Sequence, residues 1–272
     1  MGRLDGKVAV ITGATSGIGL RTAEVFVAEG ARIVIAGRRA PEGEALAQQL
    51  GSNCVFRQTD VTVEEQMQAL IALAVEKFGR IDCLFNNAGG PAQTGGIEGL
   101  DVERFDAAMA TLVRSVMLGM KHAAPTMRKQ GFGSIINNGS IAGRLAGFSS
   151  SMVYGAAKAA VIHFTKCVAM ELGESGIRVN SISPGAIATG IFGKALGLPT
   201  DAAEKTAAVM REVYKAAQPI PRAGLPDDIA HAAVFLASDE SSFINGHDLV
   251  VVSGTTGEVL DAAFPQVRSA ML

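Results

Sequence analysis

Short apolar runs at residues 8–12, 32–36, 54–57, 81–86, 134–138, 178–183 and 248–252 recur along this chain, with helical patterns between them. The helical stretches are expected at residues 17–29, 41–50, 63–78, about 101–130, 151–172, near 200–217 and 227–237. Val8-Ala9-Val10-Ile11 and Ile33-Val34-Ile35-Ala36 are apolar at consecutive positions rather than alternate ones. A strand of that kind has no face for water, so it belongs in a parallel sheet covered by helices on both sides. No Pro-, Gly- or Ser-rich linker interrupts the alternation, and there is no internal repeat or low-complexity segment. The expected architecture is a single doubly wound α/β domain over residues 1–272, mostly parallel, with helices on both faces.

Composition narrows the possible partners. The chain is 48% hydrophobic and 18% charged, which suits a folded domain with much buried surface. A formal net charge of −2, without a basic patch or acidic tail, removes the usual grounds for nucleic-acid or membrane-surface binding. Cys54, Cys83 and Cys167 are odd in number, far apart and lack CxxC spacing, so neither a disulfide framework nor a zinc site is expected. His122, His163, His231 and His247 show no metal-ligand spacing and no nucleophile partner, and no metal is expected. No apolar run reaches the ~20 residues a bilayer crossing needs. The first residues, Met1-Gly2-Arg3-Leu4-Asp5-Gly6-Lys7-Val8, contain no apolar leader. A cytoplasmic protein is expected.

In a sheet of this type, ligands bind beyond the carboxyl ends of the strands, at the point where strand order reverses. The turns there are Gly13–Gly19, Gly37–Arg39, Asp60-Val61, Asn86–Gly90, Gly139–Ala142 and Pro184–Thr189. The first is Thr12-Gly13-Ala14-Thr15-Ser16-Gly17-Ile18-Gly19, between the first strand and the first helix. Its glycines let backbone approach a pyrophosphate, and the helix N-terminus supplies N–H groups and a favourable dipole. That context makes the domain Rossmann-type. The second strand ends in Ala36-Gly37-Arg38-Arg39, without the carboxylate that would bind a ribose 2′-hydroxyl. Arg38, with its planar fork, is aimed at a 2′-phosphate, so NADP is favoured and NAD remains possible.

Tyr154 and Lys158 stand four residues apart in Tyr154-Gly155-Ala156-Ala157-Lys158. On a helix this places both on one face, about 5–6 Å apart at Cβ. A cation there favours the phenolate and is expected to lower the tyrosine pKa, suiting Tyr154 to proton exchange with an alcohol or carbonyl.

Taken in order, TGxxxGIG, NNAG, NxxSxAG, YxxxK and PGxxxT, together with Pro226-Asp227-Asp228-Ile229-Ala230 and Ile244-Asn245-Gly246, resemble the short-chain dehydrogenase/reductase family. The resemblance covers roughly residues 5–255. It implies an oxidoreductase in which Tyr154 is the general acid/base, Lys158 tunes it and binds the nicotinamide ribose, and Ser140 bonds the substrate oxygen. Ser140 lies one position farther from the tyrosine than is usual in the family, which implies an extra residue in the loop 144–152; Ser149, Ser150 and Ser151 are expected to cap the helix instead. The resemblance makes Gly13, Thr15, Ser16, Gly17, Ile18, Gly19, Asp60, Val61, Asn87, Ala88, Gly89, Tyr154, Lys158, Pro184, Gly185, Ile187 and Thr189 cofactor contacts.

One position departs from the pattern. Where the family places an asparagine that supports a water-mediated relay to the lysine, this chain has Leu112, which cannot hydrogen-bond. Thr111 or Ser115 would then hold the water, or the relay runs differently. The segment 186–224 corresponds to the family's substrate-covering region. Its Ile187, Ile191, Phe192, Leu196, Leu198, Val209, Met210 and Val213 point to a hydrophobic secondary alcohol or ketone. The resemblance also implies a homodimer or homotetramer, although Val250-Val251-Val252-Ser253-Gly254-Thr255 lacks the family's aspartate-glycine-glycine. A dinucleotide-binding sensor or scaffold with weak catalysis is the alternative.

Overall fold

β1 (Val8–Thr12) is buried at every position. It turns Ala9 and Ile11 to one side of the sheet and Val8 and Val10 to the other. β2 (Arg32–Gly37) repeats this, with Ile33 and Ile35 opposite Val34 and Ala36. In the computed structural model, which describes residues 2–253, these two strands sit within a seven-stranded sheet. β3 (Cys54–Gln58), β4 (Cys83–Asn86), β5 (Gly133–Asn138), β6 (Ile177–Pro184) and β7 (Asp248–Val251) complete it, in the order β3-β2-β1-β4-β5-β6-β7. Every neighbouring pair is parallel, so the described sheet is wholly rather than mostly parallel.

The helices are α1 (Gly17–Ala28), α2 (Ala40–Leu50), α3 (Glu64–Phe78), α4 (Val102–Met109), α5 (Ser115–Gln130), α6 (Met152–Gly173), α7 (Ile191–Ala195), α8 (Thr200–Ala217) and α9 (Pro226–Ala237). Phe26 of α1, Leu46 of α2 and Ile229 and Val234 of α9 cover the Ile11–Ile33–Ile35 side. Met67 and Leu70 of α3, Met120 and Met127 of α5 and Val161 and Leu172 of α6 cover the Val10–Val34 side. Each such side chain, fully buried, contributes roughly 1.5–3 kcal/mol of transfer free energy. This two-sided core holds the strands in register, and the register brings their carboxyl ends to one edge.

At the opposite edge the buried carboxylate of Asp82 accepts from the Val8 N–H at 2.9 Å and takes the Arg80 guanidinium in two bonds of 2.9 and 2.6 Å. A buried charge needs such partners. Burial pushes the thiols of Cys54 and Cys83 up to about 12, which leaves them inert at neutral pH.

Two local features differ from the sequence pattern. The expected helix 101–130 is α4 and α5 joined by a π-helical turn, Ala110–Arg114. Within the segment 186–224 the short α7 and the longer α8 have a small core of their own, built on Met210, Tyr214, Phe192 and Val213. Phe192 and Tyr214 meet edge to face, with ring centroids 5.7 Å apart. No helix of the described residues is long and apolar enough to cross a membrane.

Candidate active site

The chain passes from β3 on one side of β1 to β4 on the other, so the order reverses between β1 and β4. A crevice at such a point is the ligand site of doubly wound folds. Gly13 opens the turn there with φ of +68°, a conformation that side chains resist. A Cβ on Gly19 would stand 2.3 Å from the Gly13 carbonyl oxygen, so only glycine lets α1 start this close to β1. Thr12 ties the two halves together, its Oγ1 accepting from the N–H groups of Asn87 and Ala88, both at 3.0 Å. The Asn87 amide returns a bond to the Thr12 carbonyl at 3.0 Å.

From Asn87 a chain of contacts crosses to β5 and α6. Asn138 donates to the Asn87 Oδ1 at 2.9 Å. The Lys158 ammonium donates to the Asn138 carbonyl at 2.6 Å. Lys158 is almost wholly buried, and burial lowers it to about 8. Its Nζ lies 5.6 Å from the centroid of the Tyr154 ring. Ser140 stands close enough to Tyr154 to pull its phenol down in part. Ser140 sits at the carboxyl end of β5, where its Oγ also accepts from the Ala142 N–H at 3.2 Å.

Ser151 fixes how α6 presents Tyr154. Its Oγ accepts from the Tyr154 N–H at 3.2 Å, a helix cap, and donates to the Gln93 carbonyl at 2.6 Å. Ser149 accepts from the Ser151 N–H at 3.1 Å. The other end of the 144–152 loop is anchored by Arg144, which pairs with the buried Asp248 at 3.0 Å. Serine, tyrosine and lysine thus converge beside the glycine turn.

The residues fit a phosphate-bearing dinucleotide. Ser16 occupies the N-cap of α1 with an extended backbone, yet its hydroxyl makes no capping bond, so the first amides of the helix have no side-chain acceptor. Next to Lys158, the Asn138 Oδ1 is buried and has no hydrogen-bond partner among the described residues, a polar atom that such a ligand would satisfy.

A family model described as Enoyl-(Acyl carrier protein) reductase matches residues 13–256. The chain belongs to the short-chain dehydrogenase/reductase family. Among its relatives, the short-chain dehydrogenase reductase ATA1 of Arabidopsis thaliana is 40% identical over 258 residues, covering 93% of this chain and 94% of that protein. Trans-4-hydroxycyclohexanecarboxylate dehydrogenase of Sinomonas cyclohexanicum is 38% identical, covering 93% and 94%. (+)-Borneol dehydrogenase 2 of Salvia officinalis is 39% identical, covering 93% and 90%.

In this short-chain dehydrogenase/reductase the tyrosine does not behave as its spacing from lysine suggests. Burial pushes the Tyr154 phenol above its usual 10, and Ser140 alone pulls it back part of the way. Lys158 lies over the ring but gives its bond to Asn138, so in the protein alone it does not produce the expected lowering. Leu112 is buried within the π turn and packs near Gly89. Ser115 turns its hydroxyl back to the Thr111 carbonyl at 2.6 Å, into its own helix.

Of the two arginines after β2, Arg39 touches the glycine turn, donating to the Thr15 Oγ1 at 3.0 Å and pairing with Glu42 at 3.5 Å. Arg38 is exposed, and its charge helps hold the Asp60 carboxyl below its usual range, after the larger effect of hydrogen bonds from Thr62 at 2.9 and 2.7 Å. Val61 and Ile18 pack into the cores on either side of the sheet.

Pro184 ends β6, the Gly185 N–H bonds the Val251 carbonyl at 2.9 Å, and Thr189 rests on Gly17. Ile187 and Met210 are buried in place, whereas Leu196, Leu198 and Val209 are exposed. Among the described residues no group of three or more His, Cys, Asp or Glu side chains is arranged to hold a metal ion. His163 is exposed on α6, and His122 pairs with Glu64 at 3.1 Å. Sequence reasoning passed over Asn138, Arg39 and Lys194, whose Nζ donates to the Ser16 Oγ at 3.1 Å. Only the doubled Arg38-Arg39 carried any advance signal. Gly254 and Thr255, in the C-terminal segment that departs from the family's pattern, lie outside the described residues.

Proposed function

We propose that the protein is an NADP-dependent oxidoreductase that interconverts a hydrophobic secondary alcohol and its ketone, with Tyr154 as general acid and base. The observation that carries this reading is the convergence of Ser140, Tyr154 and Lys158 on one side of the phosphate-ready turn. A bound nicotinamide dinucleotide supplies hydride exchange with the substrate carbon. In reduction the Tyr154 hydroxyl gives its proton to the carbonyl oxygen, and Ser140 donates a hydrogen bond to that oxygen as negative charge develops. The Lys158 ammonium, a buried cation near the ring, favours the phenolate that remains. Asn138 holds that ammonium in place through its carbonyl. Gly13 to Gly19 would hold the pyrophosphate, Asn87 to Gly89 and Pro184 to Thr189 the nicotinamide half, Asp60 and Val61 the adenine, and Arg38 the 2′-phosphate. That two relatives are named for borneol and for a hydroxycyclohexane acid supports a ring-borne secondary alcohol. Exposed Met170 on α6 and Phe105 on α4 support self-association into a dimer or tetramer.

Purified protein should be screened against hydrophobic ketones and secondary alcohols with NADPH and NADH in parallel, following the near-ultraviolet absorbance of the reduced nicotinamide. Turnover of at least one alicyclic pair, faster with NADPH, is expected. Tight dinucleotide binding with no turnover on any substrate would turn the reading to a cofactor sensor. Preference for NADH would remove the role given to Arg38.

A further inference from the structure

Lys194 belongs to the segment that covers the site, yet its charge reaches back to the glycine turn. Its Nζ donates to the Ser16 Oγ at 3.1 Å and lies 2.8 Å from Glu204 Oε1 on α8. Ser16 is the N-cap of α1 and leaves the first helical amides uncapped. Thr189, before α7, sits where a Cβ on Gly17 would be 3.6 Å from its methyl group. The ammonium is therefore poised over the mouth of α1, beside the amides and dipole that favour a phosphate. Its present partners are a neutral hydroxyl and one carboxylate. A pyrophosphate, with more than one charged oxygen, would offer a competing acceptor in the same place.

We propose that Lys194 is a cofactor-binding latch, whose ammonium exchanges Glu204 for the pyrophosphate of a bound dinucleotide and so holds α7 against the glycine turn. This rests on the reading that the turn holds a dinucleotide. Because the pyrophosphate is common to NADPH and NADH, Lys194 acts on both, unlike Arg38, which acts on the 2′-phosphate alone. Glu204 competes with the ligand for the latch, and that sets the sign of its substitution. If the Lys194–Glu204 pair were only a brace between α7 and α8, loss of either partner would loosen the segment in the same way.

The test is calorimetric titration of wild type, Lys194→Met and Glu204→Gln with NADPH and with NADH, thermal melts confirming that each variant is folded. Lys194→Met should weaken both dinucleotides alike, by about ten- to a hundredfold, the range for a lost charge-assisted hydrogen bond. Glu204→Gln should tighten both. Chymotryptic cleavage in the 190–198 region should be suppressed by saturating dinucleotide in wild type and not in Lys194→Met at equal occupancy. Unchanged affinity in Lys194→Met, weakening by both variants alike, or a loss confined to NADPH would each overturn the latch. Failure of wild type itself to bind either dinucleotide would instead overturn the underlying reading, and the latch with it.

Discussion

Burial raises the Tyr154 pKa above a value already well clear of neutral, and Ser140 offsets it only in part, so under the proposed function the two directions of reaction have opposite pH demands. Reduction needs the phenol as it rests. Oxidation needs the proton gone, so kcat/KM for an alcohol should rise with pH. Ser140 lowers the tyrosine pKa by bonding the phenolate, and its removal lets the pKa climb further. In Ser140→Ala the rising limb for alcohol oxidation should therefore move to higher pH, as well as losing amplitude; a limb that stays in place or moves down would separate Ser140 from the tyrosine's titration. Tyr154→Phe removes the transferable proton and little volume. It should cut turnover by about 10²–10⁴-fold, the usual worth of a positioned acid or base, while calorimetry finds dinucleotide affinity nearly unchanged. Retained turnover would place the acid elsewhere.

The elements set how well those groups are aimed, and α6 is aimed by its first turn. Ser151 both caps the helix at Tyr154 and holds the Gln93 carbonyl, joining α6 to the loop after β4. Ser151→Ala should cost about 0.5–2 kcal/mol of stability by chemical denaturation and raise KM more than it lowers kcat. A fall in kcat alone would show that the loop does not help shape the substrate side. Legibility also divides by element. The strands could be read because Val8 to Thr12 and Ile33 to Ala36 are apolar on both faces, a pattern set by the buried sheet itself. The tyrosine and lysine could be read because a four-residue spacing puts them on one helix face, and the serine only through the family motif around it. The π turn around Leu112 could not, since a single turn is too short to show a period of its own against the α-helical pattern on either side. Nor could Arg39's contact with Thr15 or the Asn138 carbonyl under Lys158: which of two adjacent arginines faces a turn, and where a backbone oxygen points, depend on tertiary packing.

For the molecule as a whole, the Lys158 site is a place where function opposes stability. The ammonium is nearly sealed from water, and burial lowers it to about 8 against an ordinary 10.5. Below pH 8 the lysine is charged in both folded and unfolded chains, and the folded protein carries the full cost of burying that charge. Between pH 8 and 10.5 the folded protein sheds the proton while the unfolded chain still holds it, so stability contributed at this site rises with pH. Above that window both are neutral and the cost is gone. Its size, from a shift of this order, is on the order of 3 kcal/mol. Lys158→Met keeps the apolar stem, discards the charge and leaves the Asn138 carbonyl without its donor, a loss worth about 1–3 kcal/mol that does not vary with pH. The stability of Lys158→Met relative to wild type should accordingly be greatest below pH 8 and fall steadily toward pH 10.5, while its turnover is lost throughout. Denaturation midpoints measured for both proteins across this range decide it. Parallel curves would mean that the folded protein does not hold a strained ammonium, and that Lys158 is solvated more freely than its burial implies.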